Sequence, residues 1–238
     1  MSQKNPAATY HERILPNQAV LTEYYVKPDY ERTLFEGVCR WSRLEPNNGL
    51  IFSEASELSQ IEGGCDPLML GFLSFLVKFS NAKRILEIGS FIGVSAISFA
   101  KALPPDGQVI TIEKYSKFAA IARDNVERNN LSNKVKVLEG DANKVVGTLP
   151  PNEKFDIIFI DGHKENYLDL FLMSEPLLAA KGLVLVDDCF FQGDALNEPP
   201  TTPKGAGVRA FLEHASRRTD YQPFLLPLCN GLMMMTKR

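Results

Sequence analysis

Cysteine is scarce in this chain, which has four cysteines among 238 residues and no Cys-x-x-Cys pair. We therefore expect neither a disulfide framework nor a zinc site, and reduced cytosolic thiols are the default. Long hydrophobic runs are also missing, since Lys78, Ser80 and Lys181 interrupt the longest ones. No stretch reaches the roughly 20 apolar residues of a transmembrane helix, so we expect no membrane span.

A large excess of charge of either sign is missing as well. The formal net charge is −3, and 45% of the residues are hydrophobic and 23% charged, which is typical of a soluble globular protein. So mild a charge gives no support to nucleic-acid or membrane-surface binding. The first residues lack the apolar core of a secretory signal. We expect a cytoplasmic protein whose partner is a small molecule.

From about residue 84 onward, predicted strands and helices alternate. The strands are residues 85–88, 109–112, 134–138, 155–160 and 183–186, and the helices are residues 94–103, 117–130, 142–148, 166–180 and 207–218. Two final strands, residues 224–226 and 232–236, fit a hairpin that turns at Asn230-Gly231. The alternation predicts a parallel sheet with helices on both faces. The predicted fold is therefore α/β, a Rossmann-like, seven-stranded, mostly parallel sheet with an antiparallel edge hairpin.

Residues 1–80 follow a different pattern and contain no repeating β-α unit. They predict helices at residues 29–42 and 67–79, which would extend a single domain of residues 1–238 whose core is residues 81–238. We expect this extension to pack over the sheet edge or against a second subunit. Residues 192–205 contain three prolines and follow an acidic pair. They predict either a lid or binding loop, or a passive surface insertion.

A strand, a glycine turn and the start of a helix follow one another between Arg84 and Ser95. Gly89 allows the backbone to bend tightly and a ligand to approach closely. The helix N-terminus supplies free N–H groups and a positive dipole end for an anion, to which Ser95 can add a hydroxyl. Glu113 ends the next strand, 24 residues after Gly89, where an acid can accept hydrogen bonds from ribose hydroxyls. This pattern predicts a site for an adenosine ligand.

Two adenosine cofactors compete for this site. A dinucleotide site requires Gly-x-Gly-x-x-Gly, but Phe91 occupies the middle position. Gly89, preceded by Glu87 and followed four residues later by a second glycine, fits S-adenosylmethionine (SAM) better. At the end of the third strand, Asp141 and Ala142 form a turn that can meet the adenine. Alternatively, Asp141 can cap the helix that follows it.

Two further predicted strands stop abruptly at acidic residues, one at Asp161 and the other at Asp187-Asp188. If these strands are neighbours, about 4.8 Å apart, three carboxylates crowd one spot at the edge of the sheet where ligands bind. Each unneutralised pair would repel by roughly 4 kcal/mol at an effective dielectric constant near 20. Either a proton or a cation must relieve the repulsion, and oxygen-only ligands favour a hard ion such as Mg²⁺. Alternatively, the acid pair could cap a helix, and Lys164 could form a salt bridge to one of the acids.

Together these motifs resemble those of the cation-dependent O-methyltransferases, the group of catechol and caffeoyl-CoA O-methyltransferases. The resemblance covers roughly residues 65–238. It implies divalent-cation-dependent transfer of a methyl group from SAM to a hydroxyl group of a small aromatic acceptor. That acceptor would be catechol-like or of the hydroxycinnamoyl type. The resemblance also implies Mg²⁺, or another divalent cation such as Mn²⁺ or Ca²⁺, and a homodimer.

The resemblance assigns roles to the matching positions. Asp161, Asp187 and Asp188 match the family's metal ligands, and Lys164 matches its catalytic base. A base must be neutral, although the reference pKa of lysine is near ~10.4; a neighbouring dication would lower it and carboxylates would raise it. The contacts to SAM predicted from the motifs and the resemblance together are Glu87, Gly89, Ser95, Glu113, Asp141, Ala142, Asp161 and His163.

The chain departs from the family pattern at several positions. Asp188 stands where Asn is usual and adds one negative charge, Asn230 stands where Asp is common, and Val94 replaces a Tyr. Two other functions remain open. One is a tRNA hydroxyl methyltransferase of the same fold, and the other is an NAD-dependent dehydrogenase, against which Phe91 and the acidic cluster argue.

Overall fold

The computed structural model describes residues 30–44, 49–57 and 64–238. A boundary between Arg43 and Leu44 divides the chain into two compact units. Of the first unit the structure describes helix α1 (Tyr30–Trp41) and the turn after it. The second unit contains helix α2 (Pro67–Phe79) together with the whole sheet. The single domain predicted for residues 1–238 stays a prediction.

The sheet has seven strands in the order β3-β2-β1-β4-β5-β7-β6. They are β1 (Arg84–Ile88), β2 (Gln108–Glu113), β3 (Val135–Glu139), β4 (Phe155–Ile160), β5 (Leu178–Val186), β6 (Tyr221–Leu226) and β7 (Leu232–Lys237). The first five are parallel to one another, whereas β7 is antiparallel to both β5 and β6. The predicted sheet with its antiparallel edge hairpin is confirmed.

The register between β4 and β5 explains why acidic residues gather at one point. Ile160 pairs with Val186, so Asp161 and Asp187 each follow directly after a paired residue. Both strand ends are buried and apolar. The neighbouring strands that the sequence analysis assumed for these acids are therefore present.

Among the described residues, five helices follow α2 and cover the sheet. They are α3 (Val94–Ala102), α4 (Ser116–Arg128), α5 (Ala142–Val145), α6 (Tyr167–Ser174) and α7 (Pro203–Arg217). Each helix among the described residues is too short or too polar to span a bilayer.

Several predicted boundaries are wrong: α7 begins at Pro203 and not at residue 207, β5 at Leu178 and not at residue 183, and β6 at Tyr221 and not at residue 224. The helix predicted for residues 166–180 ends at Ser174, and a single 3₁₀ turn (Glu175–Leu177) leads into β5. Pro176 cannot donate the hydrogen bond that would continue the helix.

The loop predicted for residues 192–205 is shorter, because a 3₁₀ segment covers Phe191–Leu196 and α7 begins at Pro203. The Thr202 side chain caps α7 by accepting the Gly205 N–H.

Alternate residues of the central strands bury their side chains on opposite faces of the sheet. Ile85 of β1 packs with α2, α3 and α4, whereas the adjacent Leu86 packs with α6 and α7. Both side chains are fully buried, and burying a side chain of this size stabilises the fold by about 1.5–3 kcal/mol. Two apolar layers thus hold the sheet rigid and fix the positions of its strand ends.

Candidate active site

A cavity of about 480 Å³ opens at the carboxyl ends of β1, β2, β3 and β4. Ligands of open α/β sheets bind at this edge, and the volume suits a small molecule. The predicted site residues that line the cavity are Gly89, Ser95, Glu113, Asp141, Ala142, Asp161, His163, Lys164 and Asp188. Glu87 and Asp187, which the structure also describes, are buried and do not belong to the lining.

The glycine turn lies directly against the acidic end of β4. Gly89 has φ 102°, a conformation that favours glycine. A Cβ atom on Gly89 would overlap the backbone carbonyl oxygen of Asp161. Glycine is therefore required here because another segment of backbone approaches closely. This contact places the predicted cofactor turn beside the predicted metal ligands.

The Glu113 carboxylate ties the turn to the end of β2. Its Oε2 accepts the backbone N–H of Phe91 at 2.8 Å, and its Oε1 accepts the N–H of Tyr115 at 2.9 Å. Both oxygens are thereby held in fixed positions at the cavity wall. An ionised carboxylate has about four lone-pair sites, so acceptor capacity remains for ribose hydroxyls.

Glu87 is fully buried beside Ser95, which does line the cavity. Burial raises the pKa of Glu87 to about 7, although hydrogen bonds from Ser95 and Thr111 oppose the rise. Its Oε1 has no hydrogen-bond partner among the described residues. A buried carboxyl oxygen without a partner is costly, and burial of this kind favours the neutral form of the acid.

Two polar residues of the cavity wall have partners within the protein. Asp141 caps α5 by accepting the N–H of Asn143 at 3.0 Å, and it also lies 3.2 Å from Nζ of Lys114. The structure thus shows the helix-capping alternative, while the contact to adenine stays a prediction. Nδ1 of His163 lies 3.2 Å from Oε2 of Glu165.

Lys164 joins two of the three predicted metal ligands. Its Nζ lies 2.7 Å from Oδ1 of Asp161 and 2.7 Å from Oδ2 of Asp188, and 5.7 Å from the centre of the Tyr167 ring. Burial disfavours the charged form of Lys164, but the two carboxylates outweigh this effect and hold the pKa of its ammonium above the ordinary value. The salt-bridge alternative is therefore what the structure shows for Lys164.

Asp188 and Asn230, two of the residues at which this chain departs from the family pattern, contact each other. Nδ2 of Asn230 donates to Oδ1 of Asp188 at 2.9 Å. The family pattern has an amide at the position of Asp188 and a carboxylate at the position of Asn230, and this chain has the reverse. One carboxylate and one amide still face each other, so the exchange leaves the summed charge of the pair unchanged. Asp188 has φ 56°, which Asn and Asp tolerate better than most residues.

Asp187 completes the acidic group together with a residue that the sequence analysis missed. Ligand atoms of Asp187, Asp161 and Cys65 all lie within 4.8 Å of one another, and Sγ of Cys65 is 4.0 Å from Oδ2 of Asp187. Burial, reinforced by Asp161 and Asp188, raises the pKa of Asp187 to about 8. Cys65 and Asp187 are 122 residues apart, so no local spacing could have indicated the contact.

A family model described as O-methyltransferase matches residues 58–238 of this chain. The chain belongs to the O-methyltransferase family. It is 36% identical over 142 residues to a catechol O-methyltransferase of Niastella koreensis, covering 59% of this chain and 64% of that protein. It is 33% identical over 144 residues to caffeoyl-CoA O-methyltransferase 2 of Petunia hybrida, covering 59% of each. The chain thus aligns with about three fifths of the length of these curated relatives.

Solved structures of O-methyltransferases share the fold over nearly the whole chain. One from Bacillus cereus, in complex with SAH, superposes with a TM-score of 0.70 at 26% identity and covers 92% of this chain and 96% of that one. TomG from Streptomyces achromogenes, in complex with SAM, has a TM-score of 0.69 at 24% identity and covers 97% and 99%; at that identity the likeness shows the fold. The resemblance and the Rossmann-like fold predicted from sequence are confirmed, whereas the roles of individual residues stay predictions.

The donor set of this member of the O-methyltransferase family fits a hard divalent cation. Asp161 and Asp187 offer carboxylate oxygens next to each other. Asp188 offers a third carboxylate nearby, because it contacts the same Lys164 ammonium as Asp161 does. Asp187 forms no ion pair within the described ranges, although it is more than nine-tenths buried. Burial also holds the pKa of the Cys65 thiol well above its ordinary value. A neutral thiol is a poor ligand for hard ions, so the oxygens define the site.

Proposed function

We propose that this chain is a SAM-dependent O-methyltransferase that requires a divalent cation and methylates a hydroxyl group of a small aromatic acceptor. The acceptor class is catechol-like or of the hydroxycinnamoyl type. Membership of the family supports the reaction, and relatives named as catechol and caffeoyl-CoA O-methyltransferases support the acceptor class. The cation is Mg²⁺ or another hard divalent ion such as Mn²⁺ or Ca²⁺.

One observation carries this proposal, namely the contact between Gly89 and Asp161. The glycine turn, Ser95 and Glu113 form one wall of the cavity, and Lys164 lies in the same cavity. Because the backbone of Asp161 touches Gly89, a methyl donor held by the turn and an acceptor held by the acids would be adjacent. Such proximity is the main requirement of a displacement reaction between two bound molecules.

The residues predicted to bind SAM suit its chemical groups. SAM supplies an activated methyl group. The N-terminus of α3 offers backbone donors to the methionine carboxylate, and we expect the single hydroxyl donor of Ser95 to turn from Glu87 to that carboxylate when SAM binds. Glu113 is positioned to accept hydrogen bonds from the ribose, and Asp141 and Ala142 line the cavity at the end of β3. His163 lies on the same rim, where we expect the adenine.

The acceptor hydroxyl must lose its proton during the transfer. A phenol resembles tyrosine, whose pKa is near ~10, so deprotonation at pH 7 costs roughly 4 kcal/mol. Asp161, Asp187 and Asp188 would hold a divalent cation, whose positive charge would lower this cost. It would also balance the carboxylates that now keep Lys164 protonated. Lys164 can accept a proton only when this balance is present, so its role as a base depends on the same acids.

A screen of acceptors with labelled SAM tests the proposal. Chelator-treated protein would be assayed with catechols, hydroxycinnamoyl thioesters and tRNA, each with and without added Mg²⁺. We expect label transfer to the first two classes only when the cation is present. Transfer to tRNA alone would favour the nucleic-acid alternative, and undiminished transfer in excess chelator would remove the cation from the reaction. The homodimer and the cytoplasmic location stay predictions from sequence.

A further inference from the structure

The side chain of Asn125, in the last turn of α4, is fully buried and connects two separate parts of the chain. Its Nδ2 donates to the backbone carbonyl oxygen of Ile92 at 2.8 Å. Its Oδ1 accepts the backbone N–H of Ser53 at 2.7 Å. The hydroxyl of Ser56 lies 3.1 Å from Nδ2 and 3.4 Å from Oδ1. One amide group thus bonds both the glycine turn and residues 50–56.

Only one of these two parts reaches the cavity. Ile92 belongs to the glycine turn, whose residues Gly89 and Phe91 line the cavity directly before α3 begins. Residues 50–56 do not contribute to the lining. The segment can therefore influence a ligand at the turn only indirectly, and Asn125 provides a direct hydrogen-bonded connection.

We propose that Asn125 is a positioning residue that couples residues 50–56 to the turn that binds SAM. The coupling rests on the proposed function, since it takes SAM or its product SAH as the ligand of the turn. With the Ile92 carbonyl held, the turn is fixed in the conformation that presents the α3 N-terminus to the cavity. Because coupling between two sites is reciprocal, a ligand that stabilises the turn also stabilises residues 50–56.

The chain supplies a control four residues later, at the C-cap of α4. Nδ2 of Asn129 donates to the carbonyl oxygen of Ile51 at 2.7 Å, and its Oδ1 accepts the Ile51 N–H at 3.2 Å. Asn129 thus holds the same segment from the C-cap of the same helix, and among the described residues it forms no hydrogen bond to the glycine turn. If residues 50–56 had a purely structural role, substitution of either asparagine would change SAH affinity to a similar extent. The proposed coupling predicts a larger loss of SAH affinity for Asn125 than for Asn129.

Calorimetric titration with SAH distinguishes the two roles. Removing a buried hydrogen-bonded amide leaves partners unpaired, so Asn125→Ala should weaken SAH binding by about 5- to 30-fold. Asn129→Ala should weaken it by less than about 2-fold, even where both variants lower the melting temperature. Equal weakening by both variants, or unchanged affinity in folded Asn125→Ala, would overturn the coupling.

Hydrogen exchange of the wild-type protein gives a test that needs no variant. With SAH bound, backbone amides in residues 50–56 should exchange more slowly than in the free protein, although they lie outside the cavity. Unchanged exchange there, with slower exchange at the turn, would overturn the coupling and leave the proposed function intact. If the wild type binds no SAH at all, the proposed function fails and the coupling fails with it.

Discussion

Nζ of Lys164 lies 2.7 Å from Oδ1 of Asp161 and at the same distance from Oδ2 of Asp188. A single ammonium thus balances two of the three carboxylates to which we assign the cation. A divalent ion and this ammonium compete for the same oxygens. The residue that we expect to act as base is therefore also an electrostatic competitor of the ion.

Lys164→Ala should raise the affinity for Mg²⁺ while it lowers turnover. Loss of the ammonium removes a competing positive charge, and we expect at least about tenfold tighter binding. Loss of a general base should lower kcat by about 10²- to 10⁴-fold. Lys164→Arg, which keeps the charge, is the control for the affinity change. Calorimetry and initial rates measure the two effects, and normal turnover in Lys164→Ala would rule out the base.

The two residues that exchange amide and carboxylate should behave as a unit. Asn230→Asp places a second carboxylate against Asp188, and Asp188→Asn leaves two amides facing each other. We expect Asn230→Asp to lower stability, because like charges in contact repel. The double variant Asp188→Asn with Asn230→Asp restores one carboxylate and one amide and should recover most of the loss. Melting temperatures in a double-mutant cycle measure this, and strictly additive effects would contradict it.

The metal-free protein should become less stable as the pH rises from about 4 to about 8. Burial raises the pKa of Asp187 to about 8 and that of Glu87 to about 7 in the folded state. Unfolded carboxyls titrate near ~4, so between these values the folded protein binds more protons and loses stability with increasing pH. The pKa of Asp194 is instead lowered by hydrogen bonds from Thr201 and Thr202, so its titration lies below this window.

Urea unfolding of chelator-treated protein at about pH 5 and about pH 8 measures this slope. Asp187→Asn removes one of the two buried acids and should flatten the slope. Added Mg²⁺ should flatten it as well, because the ion stabilises the charged form. Stability that rises between these two pH values would contradict the assignment.

Gly89→Ala should destabilise the fold and prevent SAH binding. The positive φ and the overlap with the carbonyl oxygen of Asp161 both oppose a side chain, and we expect a loss of about 2–4 kcal/mol. Gly147→Ala is the matched control, since a Cβ there meets nothing within 4 Å and should change stability by less than about 0.5 kcal/mol. Denaturant unfolding measures both variants, and equal stability would contradict the packing argument.

The sequence was sufficient to predict the sheet because apolar strands and helix-length segments alternate without interruption. It also located Asp161 and Asp187, since each follows directly on a recognisable strand end, and Lys164, which lies three residues after Asp161. The end of α6 was predicted too late, because the alanines at 179 and 180 favour helix while their backbone lies in β5, next to β4. Tertiary pairing overrides local propensity in such cases.

Contacts between distant segments were beyond local patterns. Cys65 approaches Asp187, and Asn125 reaches Ser53, across separations of 122 and 72 residues. Neither pair has a spacing that local periodicity can report. The sequence also could not show that Glu87 lies outside the cavity lining. Alternation along β1 indicates which side chains face the same side of the sheet, but not how deeply each one is buried.

Titration of chelator-treated protein with Mn²⁺, followed by the electron paramagnetic resonance signal of the free ion, tests the central assignment most directly. We predict saturable binding of a single ion per chain that is lost in Asp161→Asn and in Asp187→Asn but retained in Cys65→Ser. The assignment would be contradicted if wild-type protein left the signal of the free ion unchanged. It would also be contradicted if the Asp187→Asn variant bound Mn²⁺ as the wild type does.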